Sequence, residues 1–411
     1  MTTDIRLQGG GCLRGQIDIP GDKSISHRAL IFNGISYGQA SIDGLLDAED
    51  IASTMACLRQ MGVHIEGPVV AGLNMALQAP KRVLDCGNSG TTIRLLMGLL
   101  SGQDFASTLT GDHSLCLRPM DRVTVPLGLM GARFRNGSSQ APIHIEGGRC
   151  KNIQYRSPVA SAQVKTALML AAIQAEGTLV FDEPSVSRDH SERMLRAMGL
   201  QFTEEMLEDG SHRIILEGPQ RLNAHSFRIP GDISAAAFFL VAASITRGSD
   251  LTIKNVGLNP TRAGIVKVLM RMGANIEALE TRNLSGEPVA DLRVRHAALK
   301  AATVTGSEIP TMIDELPILA IAAAHAEGIT TIDNAAELRV KESDRISNTA
   351  AIIESMGGKV EAMEDGMRIY GDPSGGFRGF ELSVNGDHRI AMSACIAALA
   401  ATGHTVIRGS D

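Results

Sequence analysis

The chain has 411 residues, too many for one ordinary hydrophobic core, so its length predicts two domains. Hydrophobic residues make up 44% of it and charged residues 20%, a balance typical of folded globular proteins and not of disordered ones. The formal net charge of -6 at pH 7 argues against nucleic acid or an anionic membrane as the main partner, so any bound anion needs a local cationic site.

The cysteines and the N-terminus indicate a compartment. Six cysteines are scattered without paired spacing, which fits neither a disulfide framework nor a zinc ribbon, so no metal site is predicted. The N-terminus lacks the apolar core of a signal peptide, and no uninterrupted apolar stretch reaches the length of a membrane span. We therefore expect a soluble, cytoplasmic protein with no membrane or nucleic-acid partner.

The first recognisable element is half of an internal repeat. The sequence IDIPGDKS at 17–24 returns as FRIPGDIS at 227–234, and each copy continues into an apolar helical run that ends near a glycine, Gly38 or Gly248. The two Pro-Gly pairs at 20–21 and 230–231 hold equivalent places. We interpret them as the points where the chain crosses between two domains.

The same layout recurs six times along the chain: a polar turn, an apolar helix, a glycine, a β-rich segment and a second helix. Five of the second helices are predicted to stop at a Met-Gly pair, since a glycine is the expected helix terminus. These pairs are 61–62, 130–131, 198–199, 272–273 and 356–357. The glycines predicted to follow the first helices are Gly38, Gly102, Gly177, Gly248, Gly328 and Gly403.

The sixth unit starts at Gly386, passes Gly403, enters a predicted strand at 405–407 and stops at Asp411. By the pattern of the other five units, its second helix is missing. Truncation and natural loss both explain this, and the residues do not separate them.

Cations occur at the starts of first helices, where the helix dipole disfavours them. Lys23 and Arg28, Arg94, Lys165 and Arg389 belong to four of the six units. A bound phosphate or carboxylate would turn this unfavourable arrangement into a favourable one. The free backbone N–H groups, the helix dipole and the cations would then all attract the same anion. The pattern predicts an anion-binding site built from converging helix starts.

Further charged segments precede second helices or lie in loops. Arg118 comes just before a predicted helix, 339–345 mixes both signs over seven residues, and Asp314 and Glu315 form a pair of carboxylates at a helix start. The helix dipole would keep this pair of carboxylates ionised.

Seven motifs together resemble the EPSP synthase (3-phosphoshikimate 1-carboxyvinyltransferase) family, in the family's order and over the whole chain. They are PGDKSISHRAL at 20–30, GNSGTTIR at 87–94, RPM at 118–120, SAQ at 161–163, DELP at 314–317, VKESDR at 340–345 and GDHR at 386–389.

The resemblance implies an α/β (α+β) fold of two similar domains. Each would contain three βαβαββ-type repeats around a pseudo-threefold axis, an inside-out α/β barrel, as the six units suggest. Domain I would comprise 1–19 and 231–411, without the last helix, and domain II 20–230. The active site would lie in the cleft between them, and the protein would be a monomer.

The implied reaction transfers the enolpyruvyl group of phosphoenolpyruvate to the 5-hydroxyl of shikimate 3-phosphate, without metal or organic cofactor. Asp314 would be the base and Glu342 the proton donor, with Lys23 also catalytic. Shikimate 3-phosphate would be bound by Lys23, Ser24, Arg28, Ser161, Ala162, Gln163, Ser187, Asp314 and Lys341. Phosphoenolpyruvate would be bound by Lys23, Gly90, Arg94, Arg118, Gln163, Glu342, Arg345 and Arg389.

Two positions bear on ligands. Ala162 stands where many members of the family have serine, so its contact would be through the backbone. Gly90 keeps the small residue of glyphosate-sensitive members, which is compatible with glyphosate as an inhibitor.

Two alternatives stay open at this point. The sister enzymes that transfer enolpyruvyl to UDP-N-acetylglucosamine use a loop cysteine as acid, and Cys116 lies in a comparable loop. Those enzymes typically show Lys-Asn near the N-terminus, whereas this chain has Lys23-Ser24. The other alternative is a non-catalytic anion-binding homologue, which would need neither Asp314 nor Glu342.

Overall fold

The computed structural model describes residues 4–135, 139–384 and 386–409, so Asp411, where the predicted sixth unit stops, lies outside the described residues. The chain forms two compact units. Domain I comprises Met1–Ile19, Gly231–Arg282 and Pro288–Asp411, and domain II comprises Pro20–Pro230 with Asn283–Glu287. In the part of the chain that the structure describes, no helix combines the length and apolar character needed to cross a bilayer.

The α-helices comprise a first and a second helix in each of the first five repeats, with the short α4 inserted before α5, and a first helix alone in the described part of the sixth. They are α1 (Lys23–Ile35), α2 (Glu49–Gln60), α3 (Gly90–Ser101), α4 (His113–Leu117), α5 (Asp121–Leu129), α6 (Ala162–Ala172), α7 (His190–Ala197), α8 (Ile233–Ile245), α9 (Gly264–Arg271), α10 (Leu316–Ala324), α11 (Arg345–Ser355) and α12 (His388–Ala400). Short 3₁₀ helices span Gly306–Thr311 and Ala336–Val340.

The strands of the described residues span two to ten residues, and a strand comes directly after most of the helices. They are β1 (Ile5–Gln8), β2 (Arg14–Ile17), β3 (Gln39–Asp43), β4 (His64–Glu66), β5 (Val69–Ala71), β6 (Leu84–Asp85), β7 (Ser107–Thr110), β8 (Arg133–Arg135), β9 (Ile143–Glu146), β10 (Gln154–Arg156), β11 (Gly177–Glu183), β12 (Thr203–Met206), β13 (His212–Gly218), β14 (Phe227–Arg228), β15 (Asp250–Gly257), β16 (Asn275–Leu284), β17 (Glu287–Arg295), β18 (Thr303–Val304), β19 (Gly328–Ile332), β20 (Lys359–Ala362), β21 (Met367–Gly371), β22 (Glu381–Ser383) and β23 (His404–Arg408).

One sheet topology recurs in every repeat. In the sheet β10-β11-β13-β12, β10 is parallel to β11, and β13 pairs antiparallel with both β11 and β12. The sheets β14-β3-β5-β4 and β6-β7-β9-β8 complete domain II, and β16-β17-β15-β2 and β18-β19-β21-β20 belong to domain I. The sixth sheet has three described strands, β1-β23-β22, with Ile5 of the N-terminal strand opposite Ile407.

The first helix of each repeat forms the core. Helices α1, α3 and α6 in domain II and α8 and α10 in domain I are mostly buried, whereas α12 in domain I is buried along one side. The sequences of α8 and α10 are apolar on nearly all sides, ISAAAFFLVAASI and LPILAIAAA, and such helices are stable only where they are surrounded. The second helices bury only part of their surface, for example Ile51, Thr54, Cys57 and Leu58 in α2.

The predicted Met-Gly helix stops are confirmed. Helices α2, α5, α7, α9 and α11 each have the methionine as C-cap residue, and the next glycine has a φ between 91° and 100°. The glycines after the first helices are less uniform. Five have positive φ, but Gly102 is itself the C-cap of α3 with φ -94°. A left-handed residue is therefore required at five of those six positions.

Close packing of α3 against α6 depends on Gly98, and Gly98→Ala should destabilise domain II. A Cβ at this position would lie 2.6 Å from the α carbon of Ala167, where no flexible side chain can give way. We expect a loss of about 3 kcal/mol, the upper range for overpacking a core. Gly128→Ala in α5, with nothing within 4 Å of its new Cβ, should instead add about 0.5–1 kcal/mol through helix propensity.

Urea unfolding followed by circular dichroism measures both changes. Equal stability of the two variants would contradict the requirement for close approach of α3 and α6.

Candidate functional site

The starts of the three core helices in domain II carry much of the predicted anion-binding set. Lys23 opens α1 and Gly90 opens α3, and their N-cap residues accept hydrogen bonds from the first helical turn. Ser161 is the N-cap of α6, where its hydroxyl accepts a hydrogen bond from the Val164 N–H. Helix capping thus accounts for Ser161 without a ligand, although capping does not occupy the remaining N–H groups of the turn.

Arg94, Gln163, Gly90 and Arg118 lie together. The Arg94 guanidinium donates to the Gln163 side-chain oxygen at 3.0 Å and to the Pro119 carbonyl at 3.3 Å. A Cβ on Gly90 would lie 2.8 Å from Arg94 Nη1 and 3.4 Å from Arg118 Nη1. Two guanidinium groups therefore flank the backbone of Gly90 at the positive end of a helix, which is an arrangement suited to a small anion.

Arg28 is buried but remains a cation. Its guanidinium donates to Ser191 Oγ at 2.7 Å, to Thr166 Oγ1 at 3.2 Å and to the Ser24 carbonyl at 3.0 Å. Burial lowers the pKa of Arg28 to about 10, opposed chiefly by Glu192, so it stays protonated near neutral pH. Lys23 is a third exposed and pairs with Asp50 at 3.0 Å.

Ser187 precedes α7, and its backbone is bound by two charged side chains, Glu183 and Lys165. Its N–H donates to Glu183 Oε1 at 3.1 Å, and Lys165 Nζ donates to its carbonyl at 3.4 Å. Its side-chain oxygen is buried and has no hydrogen-bond partner among the described residues. A buried hydroxyl without a partner is costly, and a ligand oxygen would satisfy it.

Lys165 corrects one expectation from the sequence. It was grouped with the anion-binding cations, but it is fully buried and lies 2.9 Å from Glu183 and 2.6 Å from Glu192. Its charge is thus already neutralised inside domain II. The position of Lys165 near a helix start predicted a cation close to a ligand. Its two carboxylate partners lie further along the chain, so helix spacing alone could not reveal them.

Arg345 is the centre of the candidate site in domain I. It is 1% exposed and lies among three carboxylates: Glu342 at 2.6 Å, Asp387 at 3.0 Å and Asp314 at 3.5 Å. Burial acts to lower the pKa of Arg345, but Glu342, Asp387 and Asp314 outweigh it and hold that pKa above its ordinary value. Three carboxylates are therefore organised by one permanent cation.

The three carboxylates differ in access. Asp387 is fully buried and caps α12 by accepting the N–H groups of Arg389 and Ile390. The side chains of Asp314 and Glu342 keep 18% and 28% exposure. Of the three carboxylates, those two keep access to a ligand, and they are the residues named from the sequence as candidate base and acid.

Arg389 joins this group, whereas Lys341 has a different partner. Arg389 Nη1 donates to the Asp314 carbonyl at 3.3 Å and lies 3.8 Å from Glu315 Oε1. Lys341 Nζ donates to Glu337 Oε1 at 3.2 Å. Among residues 4–135, 139–384 and 386–409 no group of three or more His, Cys, Asp or Glu is arranged to hold a metal ion.

Comparisons with known proteins point to one family. The family model described as EPSP synthase (3-phosphoshikimate 1-carboxyvinyltransferase) matches residues 7–411. A 3-phosphoshikimate 1-carboxyvinyltransferase from Synechococcus sp. (strain JA-3-3Ab) is 50% identical over 410 residues, covering 97% of this chain and 91% of the relative. The Synechocystis sp. (strain ATCC 27184 / PCC 6803 / Kazusa) protein of the same name is 49% identical over 411 residues, covering 98% and 91%. A solved structure of an EPSP synthase from Acinetobacter baumannii has a TM-score of 0.88 at 43% identity, covering 100% of this chain and 94% of the other.

Proposed function

Because the chain belongs to the EPSP synthase family, it is an enolpyruvyl transferase of the shikimate pathway, and we propose how its two groups of site residues divide the reaction. The enzyme transfers the enolpyruvyl group of phosphoenolpyruvate to shikimate 3-phosphate and releases phosphate. The residue roles below are supported by geometry within each domain.

One observation carries the proposal: Asp314 and Glu342 are two accessible carboxylates held by the same buried guanidinium. In the addition step, Asp314 takes the proton of the 5-hydroxyl as its oxygen attacks C2 of phosphoenolpyruvate, and Glu342 gives a proton to the methylene carbon. In the elimination step, the C2–O bond to phosphate breaks, the methyl group returns a proton to Glu342, and the departing phosphate takes the proton held by Asp314. Arg345 offsets the charge of whichever carboxylate is ionised.

The cations bind the two anionic substrates. Arg94, Arg118, Gln163 and the N–H groups at Gly90 suit the carboxylate and phosphate of phosphoenolpyruvate, together with Arg345 and Arg389. Lys23, also assigned to proton traffic, would exchange its contact with Asp50 for substrate phosphate. Shikimate 3-phosphate would be bound by Lys23, Ser24, Arg28, Ser161, Ala162, Gln163, Ser187, Asp314 and Lys341, the last after leaving Glu337.

The glycine at the start of α3 should govern affinity for phosphoenolpyruvate. Gly90→Ala places a methyl group 2.8 Å from the flexible end of Arg94, so the fold should tolerate it while the guanidinium moves. We expect KM for phosphoenolpyruvate to rise about ten-fold, because small misplacements of a binding group cost that much. Steady-state kinetics measure it, with Gly128→Ala as the matched control.

The same substitution tests glyphosate, which carries a phosphonate and a carboxylate. We propose that it competes for the phosphoenolpyruvate groups, so Gly90→Ala should raise its inhibition constant as well. Inhibition of wild type that does not compete with phosphoenolpyruvate would contradict this.

We further propose that the protein is a cytoplasmic monomer. Light scattering of the purified protein tests the oligomeric state, and cell fractionation tests the compartment.

Acceptor choice tests the function itself. The protein is mixed with phosphoenolpyruvate and either shikimate 3-phosphate or UDP-N-acetylglucosamine, and phosphate release is followed. Release with shikimate 3-phosphate alone is expected. Release with the nucleotide sugar would point to the sister reaction, and tight binding of shikimate 3-phosphate without turnover to an anion-binding homologue.

Substitution of Cys116 is a second test that distinguishes the proposed reaction from the sister reaction with UDP-N-acetylglucosamine. Its Sγ lies 3.4 Å from the Gly111 carbonyl, to which it donates, so the local backbone occupies the thiol proton. We expect Cys116→Ala to keep most of its activity with shikimate 3-phosphate. Near-complete loss with an intact circular dichroism spectrum would identify the thiol as an acid in catalysis.

A further inference from the structure

The second copy of the repeated motif contacts a buried ion pair through its serine. In domain II, Ser24 follows the N-cap Asp22 and is partly exposed at the start of α1. In domain I the equivalent Ser234, which follows the N-cap Asp232, is only 5% exposed. Its hydroxyl donates to Glu315 and accepts a hydrogen bond from Arg262 Nη2 at 2.5 Å. The position assigned to a substrate in one copy is occupied by protein side chains in the other.

Arg262 and Glu315 are the core of this network. Arg262 Nη1 donates to both carboxylate oxygens of Glu315, at 3.1 and 3.0 Å. Arg262 is 3% exposed and Glu315 is 1% exposed, so neither charge is hydrated. Arg262 Nη2 also lies 3.4 Å from Asp232 Oδ1, which ties the pair to the start of α8. A buried pair with two hydrogen bonds has a single well-defined geometry.

The network reaches the proposed base through the backbone. Glu315 directly follows Asp314 and is the N-cap residue of α10. Its Oε1 lies 3.8 Å from Arg389 Nη1, and the same guanidinium nitrogen donates to the Asp314 carbonyl at 3.3 Å. Fixing the side chain of Glu315 therefore fixes both the peptide that carries Asp314 and the direction of Arg389.

We propose that Ser234, Arg262 and Glu315 are positioning residues that hold Asp314 and Arg389 in their working orientation. The proposal rests on the roles given above to those two residues. Buried ion pairs often stabilise a fold less than apolar side chains of the same volume. A role in orientation accounts for charges at this place, because apolar side chains would fill the space but would not direct the Arg389 guanidinium.

The mildest test is Ser234→Ala, with Ser244→Ala as its matched control. Both serines are buried in α8, but the Ser244 hydroxyl bonds only to the Leu240 carbonyl within its own helix. We expect Ser234→Ala to lower kcat/KM for phosphoenolpyruvate about ten-fold, as for a reacting group moved by a fraction of an ångström. Ser244→Ala should leave it unchanged at a similar melting temperature. Equal kinetics in the two variants would overturn the proposal.

A double substitution separates orientation from stability. Arg262→Met combined with Glu315→Leu replaces the ion pair by apolar side chains of similar size, so the melting temperature should equal or exceed that of wild type. We expect kcat/KM for phosphoenolpyruvate to fall about a hundred-fold all the same. The dissociation constant of shikimate 3-phosphate, measured by calorimetry, should change less than two-fold, since most of its proposed contacts lie in domain II. Wild-type kinetics in this variant would refute the proposal.

Asp314→Asn, assayed beside these variants, distinguishes this proposal from the roles on which it rests. If Asp314→Asn is fully active, the role of Asp314 as base is wrong, and the orientation argument falls with it. If Asp314→Asn is inactive while Ser234→Ala and the double variant behave as wild type, only the positioning role is wrong.

Discussion

Replacing Asp314 with asparagine should lower kcat by about 10³-fold, within the range attributed to a general base. Asparagine has the same shape, so its side-chain oxygen can keep the contact with Arg345, and the backbone carbonyl that accepts from Arg389 is unchanged. Only the capacity to take a proton from the 5-hydroxyl is lost. Stopped-flow or steady-state release of phosphate measures the effect.

Asp250→Asn is the matched control for this variant. Asp250 also pairs with an arginine in domain I, Arg293, but on the two inner strands of a sheet, where both side chains are about 40% exposed. Its substitution should leave kcat within two-fold, because it removes only a weak surface pair. Binding of shikimate 3-phosphate by the Asp314→Asn enzyme should persist. Wild-type turnover in that enzyme would assign the base to another residue.

Replacing Arg345 with methionine should cost about 3–5 kcal/mol of folding stability, the usual cost of removing one partner of a buried ion pair. Asp387, which is fully buried, would lose the cation at 3.0 Å, while Glu342 and Asp314 could turn to solvent. Turnover should become undetectable, since the acid and the base lose their common partner. Urea unfolding and the phosphate assay measure the two effects.

Two comparisons make this second prediction specific. Arg293→Met removes an arginine from an exposed pair and should leave the folding stability nearly unchanged, because solvent screens such a pair. Adding Asp387→Asn to Arg345→Met should recover part of the folding stability, because it removes the uncompensated buried charge. Activity should not return, because Asp314 and Glu342 still lack their common cation. Equal stability losses for Arg345→Met and Arg293→Met would show that Arg345 is not held in a low-dielectric site.

Repeat architecture could be predicted from the sequence because it depends on local signals. A helix of period 3.6 that closes on Met-Gly needs only its own residues, and all five such stops occur where the pattern predicts them. Gly102 departs from the pattern because α3 ends in a right-handed turn there. The closure of the sixth sheet by β1 was not predictable, since its pairing joins residues about 400 positions apart.

The site residues divide in the same way. Motifs that lie at helix starts led to Gly90, Arg94 and Gln163, which the structure brings together. Buried ion pairs were missed, because the partner of a charge is set by tertiary packing. Glu315 shows this clearly: the sequence placed it beside Asp314 as one of two carboxylates at a helix start, yet its side chain points into the core toward Arg262.

The closure of the sixth sheet by β1 has a consequence for synthesis on the ribosome. Apart from the short tip Asn283–Glu287, domain II is one continuous stretch, Pro20–Pro230, and all of its strands are available once that stretch has emerged. Strand β1 precedes domain II in the chain, whereas its partner β23 follows domain II. We expect nascent chains to acquire protease resistance over domain II early, while β1 stays unpaired until β23 has been made.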